Sequence, residues 1–169
     1  MNKSVGFTLI ELVVVIIILG ILSAIAVPKF VNLNRGMKIA VITSAAESMK
    51  TTVKMLHLKA QVDNKLGANN NIETPYGLYQ LTSGYPKNRS EVTNPNLYFI
   101  ETFLDFGAIT DEVKDNIQRT ASYGMLNAYE DSFQSIIGYS ENNISADLCY
   151  AEYVHTDLNH EVTIQTDGC

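Results

Sequence analysis

A long apolar segment near the N-terminus constrains this chain more than any other feature. The 21 residues from Phe7 to Val27 include three polar side chains, those of Thr8, Glu11 and Ser23. As an α-helix rising about 1.5 Å per residue, the segment would be about 31 Å long. That length matches the hydrocarbon core of a bilayer, which is about 30 Å thick. The segment is therefore predicted to be a membrane-spanning helix.

A cleaved secretory signal peptide is the alternative interpretation of this segment. Lys3 precedes it, and Ala24-Ile25-Ala26 has the small-residue pattern of a signal peptidase site. Glu11 argues against this alternative, because a carboxylate in the apolar run costs about 2 kcal/mol or more in a bilayer. The favourable interaction of Glu11 with the helix macrodipole offsets less than about 1 kcal/mol of that cost. A secreted enzyme or binding protein that begins at Val27 stays open as an alternative of another class.

A positively charged partner would remove the cost of the Glu11 carboxylate. If the chain is cut after Gly6, the new α-amine of Phe7 lies one helical turn from Glu11 along the same helix. In a staggered array, the amine of a neighbouring copy would serve equally well. Glu11 is then neutralised on assembly. In a permanently anchored monomer, by contrast, Glu11 would have no partner and leucine would replace it without effect.

The residues around this point resemble a known signature. Lys3-Ser4-Val5-Gly6, followed by Phe7-Thr8-Leu9-Ile10-Glu11-Leu12 and a long apolar helix, is similar to the class III signal of type IV pilins and type II secretion pseudopilins. The resemblance implies that a prepilin peptidase cuts between Gly6 and Phe7 and that the amine of Phe7 is N-methylated. It also implies that Glu11 pairs with the Phe7 amine of a neighbour during polymerisation.

Flanking charges do not favour the orientation that this resemblance implies. Lys29, Arg35 and Lys38 follow the apolar run, whereas Lys3 precedes it, and basic flanks usually face the cytoplasm. In a pilin, the Phe7 end faces the cytoplasm. We follow the signature and expect a bacterial protein with a single inner-membrane span and a periplasmic head, which becomes extracellular in the assembled pilus.

Apolar residues continue beyond Pro28 at gaps of three or four. They are Phe30, Leu33, Met37, Val41, Ala45, Met49, Val53, Leu56 and Ala60. This spacing predicts one helix from Phe7 to a stop at Leu66-Gly67, amphipathic in its second half. Gly20 and Pro28 are predicted weak points, because glycine is flexible and proline lacks the N–H donor. The pilin resemblance implies that the stretch between them loses helical form on assembly.

The remainder of the chain predicts a mixed domain. Residues 67–96 are rich in Gly, Asn, Ser, Pro and Tyr and are predicted as a connecting loop. Thr110-Asp111-Glu112 resembles a helix start, so a short helix is expected over residues 111–119. Later β-branched and aromatic runs predict an antiparallel sheet of three or four strands, at 132–139, 147–155 and 161–165, with an extra strand near 123–129.

Together these elements predict an α+β fold, the pilin ladle, in which the Val41–Ala60 stripe covers one face of the sheet. The predicted segments are a leader (1–6), a transmembrane and polymerisation helix (7–28), its amphipathic half (29–66) and a head (67–169).

Two cysteines are enough for one bridge. Cys149 and Cys169 enclose 19 residues, and closing such a loop in an oxidising compartment contributes about 3 kcal/mol on a chain-entropy estimate. Two unpaired thiols are the alternative. The pilin resemblance implies a bridge that bounds a C-terminal loop, 149–169. Cys149-Tyr150-x-x-Tyr153 with the terminal Gly168-Cys169 resembles the mannose-sensitive haemagglutinin (MSHA) type of pilin.

Motifs for catalysis are missing from the sequence. It contains no nucleophile elbow, P-loop or dinucleotide fingerprint, and the spacing of His155 and His160 matches no metal motif. A net charge of −6 opposes binding to a phosphate backbone. We therefore expect no enzymatic activity, no cofactor, no metal and no nucleic-acid partner.

The sequence predicts a structural subunit of a type IV pilus filament that supports surface adhesion or biofilm formation. A minor pilin or a type II secretion pseudopilin is the alternative within the family. The expected partners are further copies of the chain, other pilins, the prepilin peptidase and N-methyltransferase, the inner-membrane assembly platform and, before assembly, membrane lipid. The surface ligand is not identified by the sequence.

Overall fold

The computed structural model describes residues 8–140, 143–156 and 159–169, and at positions 28, 31 and 32 it describes the backbone alone. Gly6 and Phe7, the predicted processing residues, lie outside the described residues. The chain divides into two compact units, Met1–Met37 and Lys38–Cys169. A long N-terminal helix is followed by a short helix and antiparallel sheets, so the predicted α+β class is confirmed.

Helix α1 spans Leu9–Val62 and continues through both Gly20 and Pro28. Its first part, Leu9–Val27, is apolar apart from Glu11 and Ser23, which is the composition of a helix surrounded by apolar material. Its second half carries the predicted stripe of apolar residues on one face.

The C-terminal end of α1 differs slightly from the prediction. Asn64 adopts a left-handed φ of 55°. Lys65 N donates to the carbonyl of Ala60 at 2.7 Å, and Asn64 N donates to the carbonyl of Gln61 at 3.2 Å. These two bonds form a Schellman motif. The helix therefore ends before the predicted stop at Leu66-Gly67, because asparagine also tolerates the left-handed conformation.

The first part of the head forms two small sheets. Strands β1 (Asn70–Thr74), β2 (Gly77–Thr82) and β3 (Tyr85–Pro86) make one, and β4 (Arg89–Ser90) pairs with β5 (Leu97–Tyr98) in the other. Helix α2 (Phe99–Phe103) follows. The prediction of a connecting loop over 67–96 is thus wrong. Its turn signals mark hairpins instead: Ser83 and Gly84, with φ of 54° and 82°, make the two-residue turn between β2 and β3.

A larger sheet of six antiparallel strands completes the head. Each strand pairs with the next along the chain: β6 (Asp111–Lys114), β7 (Arg119–Tyr123), β8 (Leu126–Glu130), β9 (Gln134–Gly138), β10 (Tyr150–His155) and β11 (His160–Gln165). The predicted count of three or four strands is wrong, because the sheet has six. The three C-terminal strands were predicted, and the extra strand expected near 123–129 is the end of β7 and most of β8, joined by a turn at Gly124, which has φ of 73°.

The predicted short helix over residues 111–119 is wrong, because this segment is the β6–β7 hairpin. Asp115 makes the turn. Its carboxylate accepts hydrogen bonds from the N–H groups of Ile117 at 2.6 Å and Gln118 at 2.8 Å. The acidic residues that resemble a helix start therefore lie in a strand and its turn, since pairing with β7 outweighs the local capping signal.

Within the second unit, α1 covers one face of the six-stranded sheet, as predicted. The buried helix residues are Ile42, Ala45, Ala46, Met49 and Val53. The buried sheet residues are Ala128, Ile137, Ala151 and Tyr153, and Cys149, directly before β10, packs with them. Val41 of the predicted stripe is 40% exposed, and Ile42 takes its place. Further along the helix, Ala60 packs into a second cluster with Ile72, Tyr79, Leu81 and Leu97.

Candidate functional site

The first turn of α1 contains the carboxylate that the sequence analysis singled out. The N–H of Glu11 donates to the hydroxyl oxygen of Thr8 at 3.4 Å, and that hydroxyl lies 3.4 Å from the Glu11 carboxylate. Thr8 is therefore the N-cap of the helix and Glu11 its third residue. Thr8-x-x-Glu11 is a capping-box spacing, a signal that would have identified the role of Thr8 from sequence. Among the described residues, no cation forms an ion pair with Glu11.

The apolar surface of α1 is uncovered. Leu9–Val27 is long and apolar enough to cross a membrane, with a mean hydropathy of 3.0 and none of the span buried. Leu9 is 80% exposed and Ile10 is 72% exposed. Soluble monomers rarely expose an apolar surface of this extent. The segment thus needs lipid or another protein surface to cover it.

Neither predicted weak point interrupts the helix. A β-carbon at Gly20 would meet no neighbouring atom within 4 Å, so packing within the chain does not demand glycine there. The backbone is also helical at Pro28. Loss of helical form between Gly20 and Pro28 on assembly stays a prediction.

A disulfide joins Cys149 to Cys169, with a Cα–Cα distance of 4.9 Å, so the predicted bridge is present. Cys149 belongs to the core beneath α1. Gly168 is required beside the bridge, because a β-carbon there would lie 1.6 Å from the carbonyl oxygen of Asp147. The Gly168 N–H donates to the carbonyl of Leu148 at 3.0 Å. Gly168 and Cys169 are therefore held to the segment directly before β10 by a covalent bond and by a backbone hydrogen bond.

A buried ion pair lies on the helix-facing side of the six-stranded sheet. Arg119 Nη1 donates to Glu130 Oε2 at 2.8 Å, and neither side chain is exposed. Arg119 Nε donates to Glu112 at 2.6 Å, and Nη2 donates to the hydroxyl of Tyr123 at 3.0 Å. Arg119 and Glu130 are direct cross-strand partners. Sequence reasoning missed this pair, since it depends on the register of two strands.

The Glu130 carboxylate also positions α2. Its Oε1 accepts the N–H of Ile100 at 2.5 Å, which joins the start of α2 to the sheet. Burial raises the pKa of Glu130 to about 7, against the opposing effect of the Arg119 guanidinium. Lys114 pairs with Glu101 at 2.6 Å. These contacts make α2 a fixed part of the head.

Asn88 is a second buried polar connection that sequence reasoning missed. Its amide donates to Ser135 Oγ at 3.1 Å and to the carbonyl of Tyr153 at 2.8 Å. Its oxygen accepts the N–H of His155 at 2.8 Å. The Tyr153 hydroxyl donates to the carbonyl of Pro86 at 2.6 Å. The segment between β3 and β4 is thereby attached to β9 and β10.

The described parts of the chain contain no group of three His, Cys, Asp or Glu side chains that would hold a metal ion.

Comparisons with known proteins bear on the N-terminal segment of the chain. Residues 1–27 match the model of the prokaryotic N-terminal methylation motif. The chain is 41% identical to the type IV narrow pilus major component PilA5 of Thermus thermophilus over 59 residues, 35% of this chain and 51% of that protein. It is 41% identical to the type IV major fimbrial protein FimA of Dichelobacter nodosus over 49 residues, 29% of this chain and 31% of that protein.

A fimbrial protein of Pseudomonas aeruginosa is 29% identical over 96 residues, 56% of this chain and 62% of that protein. The chain spans about half the length of PilA5 and less than two thirds of the other two relatives. No solved structure matches. The chain thus carries the type IV prepilin methylation motif in residues 1–27, and over part of its length it is similar to type IV pilins.

Proposed function

We propose that this chain is a structural subunit of a type IV pilus filament. One observation carries the proposal: the methylation motif of residues 1–27 contains an apolar helical span, Leu9–Val27, of which nothing is buried. That surface suits lipid before assembly and the same surface of other copies afterwards, since burying apolar area contributes about 25 cal/mol per Å². The head, by contrast, has its own core.

Processing and assembly follow from the first turn of α1. We propose that prepilin peptidase cuts between Gly6 and Phe7, that the Phe7 amine is N-methylated, and that this amine pairs with Glu11 of a neighbouring copy. In the single chain, Glu11 has one described side-chain partner, the Thr8 hydroxyl at 3.4 Å. A cationic amine would bind the carboxylate more strongly than a hydroxyl does. The pairing would set the axial register of the filament.

The proposal includes a location for the subunit before assembly and a set of partners. The subunit would wait as a single-pass protein in the inner membrane, with its head in the periplasm, until an assembly platform adds it to the filament with other pilins. Gly20 and Pro28 would be the points at which α1 changes form. A role in surface adhesion or biofilm formation, and assignment to the MSHA type, belong to the same proposal.

Mass spectrometry of sheared filaments tests this function. The expected chain begins at N-methylated Phe7, and its intact mass under non-reducing conditions is two hydrogens below that of the reduced chain. A chain that begins at Val27 and occurs as a soluble periplasmic protein would instead establish the secreted-protein alternative.

A variant at the cleavage site separates the pilin proposal from an ordinary membrane anchor. Gly6→Leu should block maturation, so that the chain accumulates with its leader in the membrane and no filaments form. The matched control is Gly36→Leu, at a helix position where a β-carbon would meet no neighbouring atom within 4 Å and which the peptidase does not read. Normal maturation of the Gly6 variant would contradict the peptidase step.

A further inference from the structure

A cleft in the head, bounded by α1, β3 and β11, is lined largely by ionisable side chains. Its volume is about 230 Å³, and it is lined by Lys50, Val53, Lys54, His57, Tyr85, His160 and Val162. Within the described part of the chain, no carboxylate belongs to this lining, although acidic residues outnumber basic ones by 18 to 12. The cleft is therefore locally basic on an acidic protein.

Aromatic stacking holds the two imidazoles in place. The ring of Tyr85 lies between His57, with centroids 4.0 Å apart and planes at 13°, and His160, with centroids 3.5 Å apart and planes at 23°. The three rings come from α1, β3 and β11, so the geometry exists only in the folded head. Gly84 allows the close approach, because a β-carbon there would lie 3.0 Å from His57 Nδ1.

Of the two lysines near the three stacked rings, one is paired with a carboxylate and the other is not. Lys50 pairs with Glu47 at 2.8 Å on the exposed surface of α1. Lys54 forms no ion pair with any described residue. The lining thus offers one unpaired ammonium beside two imidazoles.

An amide and a third imidazole neighbour the two histidines, and the Glu47 carboxylate reaches the edge of the cleft through its pair with Lys50. His57 Nε2 lies 3.2 Å from the amide nitrogen of Gln61, and His160 is the cross-strand partner of His155 on β10. Burial, followed by repulsion from His57, lowers the pKa of His160. An anion in the cleft would counteract that repulsion.

We propose that this cleft binds an oxyanion, a sulfate or phosphate group, between Lys54 and His160, with Lys50 and His57 contributing positive charge. Ammonium and imidazolium groups donate charge-assisted hydrogen bonds to such oxygens. The anion favours protonated imidazole and protonated imidazole favours the anion, so binding tightens as the pH falls through the histidine range. This inference does not depend on the filament proposal, since it concerns the single head.

The test uses the full chain in detergent micelles with inorganic sulfate as the probe, because sulfate stays a dianion across the histidine range. The imidazole NMR resonances of the three histidines are followed at about pH 5.5 and about pH 7.5, with sodium chloride keeping ionic strength constant. We expect saturable shifts at His57 and His160 and an affinity several-fold higher at the lower pH. A second arm, with micelles containing phosphatidylglycerol in place of sulfate, distinguishes a free anion from a lipid headgroup.

Matched variants decide the outcome. Lys54→Gln should weaken sulfate binding about tenfold, as loss of a charge-assisted bond predicts. Lys59→Gln removes the same charge from the same helix at a residue paired with Asp63 at 3.0 Å, outside the cleft, and should leave binding unchanged. His160→Gln should weaken the pH dependence, with unchanged resonances in β8 and β9 as the check of folding. Unsaturable shifts, or equal effects of Lys54→Gln and Lys59→Gln, would overturn the proposal.

Discussion

The two halves of α1 contrast in what covers them. Residues Leu9–Val27 are apolar apart from Glu11 and Ser23, and none of this span is buried, whereas Ile42 and Met49, in the second half, are wholly buried against the head. One continuous helix therefore includes a half whose packing is completed within the chain and a half whose packing requires another surface. The first kind of surface stabilises a fold, and the second, in the proposed function, would drive membrane insertion and assembly.

Carboxylates in the two regions show the same contrast. Glu130 is fully buried and has an arginine and a backbone N–H as partners. Glu11 is exposed, and its one described side-chain partner is a threonine hydroxyl at 3.4 Å. Changes at Glu130 should therefore alter the stability of the head, and changes at Glu11 should alter assembly.

The largest effect on head stability is expected for Arg119→Met. Above about pH 7, where the Glu130 carboxylate is ionised, this change leaves that carboxylate buried without its cation, and breaking a buried pair costs about 3 to 5 kcal/mol. Chemical unfolding of the full chain in micelles measures the loss. Lys59→Met, which breaks an exposed pair, is the control and should cost less than about 1 kcal/mol. Similar losses in both variants would show that the buried pair has no special role.

Removal of the disulfide should have the next largest effect. Replacing both Cys149 and Cys169 by serine should lower the free energy of unfolding by about 3 kcal/mol, because the unfolded chain regains the freedom of an open loop. Reduced wild-type protein should unfold like the double variant, and reductant should not change the variant further. Unfolding at the same denaturant concentration in the oxidised protein and the variant would contradict this account.

A change of pH should have a smaller effect on the stability of the head. Burial raises the pKa of Glu130 to about 7 from an ordinary 4.5, despite the Arg119 charge. The folded head therefore binds this proton more tightly than the unfolded chain does. The resulting stability is fully present below about pH 4.5 and is lost as the pH rises through about 7. For the wild type, the denaturant concentration at the midpoint of unfolding should therefore fall as the pH rises across this interval.

Glu130→Gln is the matched variant for this pH dependence, because it keeps a side chain of similar shape and removes the titration. Its stability should be flatter across the same interval. Parallel profiles for the two proteins would assign the pH dependence to other groups.

Glu11→Ala should have the smallest effect on head stability and a large one on filaments. Unfolding of the head and insertion into the membrane should be unchanged. Filament yield should fall about tenfold or more, because the Phe7 amine of the neighbouring copy would be left unpaired among apolar residues at a cost of about 2 kcal/mol or more. Yield is measured on sheared filaments by immunoblot against the membrane pool. Normal piliation of this variant would refute the register role of Glu11.

Thr8→Ala is the control that separates capping from charge pairing. It removes the N-cap, worth about 1 kcal/mol, and retains the Glu11 carboxylate. Filaments should persist in this variant. Equal loss in both variants would show that Glu11 acts by capping the helix.

Features that depend on short sequence distances were predictable. The apolar run, the stripe on α1 and the C-terminal strands follow from residue periodicity alone. The turn residues of 67–96 and the acids of 111–119 were misassigned, because the same local signals suit loops, hairpins and helix starts. Whether such a segment becomes a loop, a hairpin or a helix start depends on the strand that pairs with it. Sequence periodicity does not identify that strand.

The sequence by itself determined the membrane-compatible helix, its methylation motif and the carboxylate at its start, because each depends on consecutive residues along one helix. Only the tertiary structure decided which charges are buried together. Arg119 and Glu130 meet through strand register, Asn88 reaches residues 47 and 65 positions away, and Tyr85 stacks between His57 and His160. Such contacts arise when separate elements pack, and burial then gives them their energetic effect.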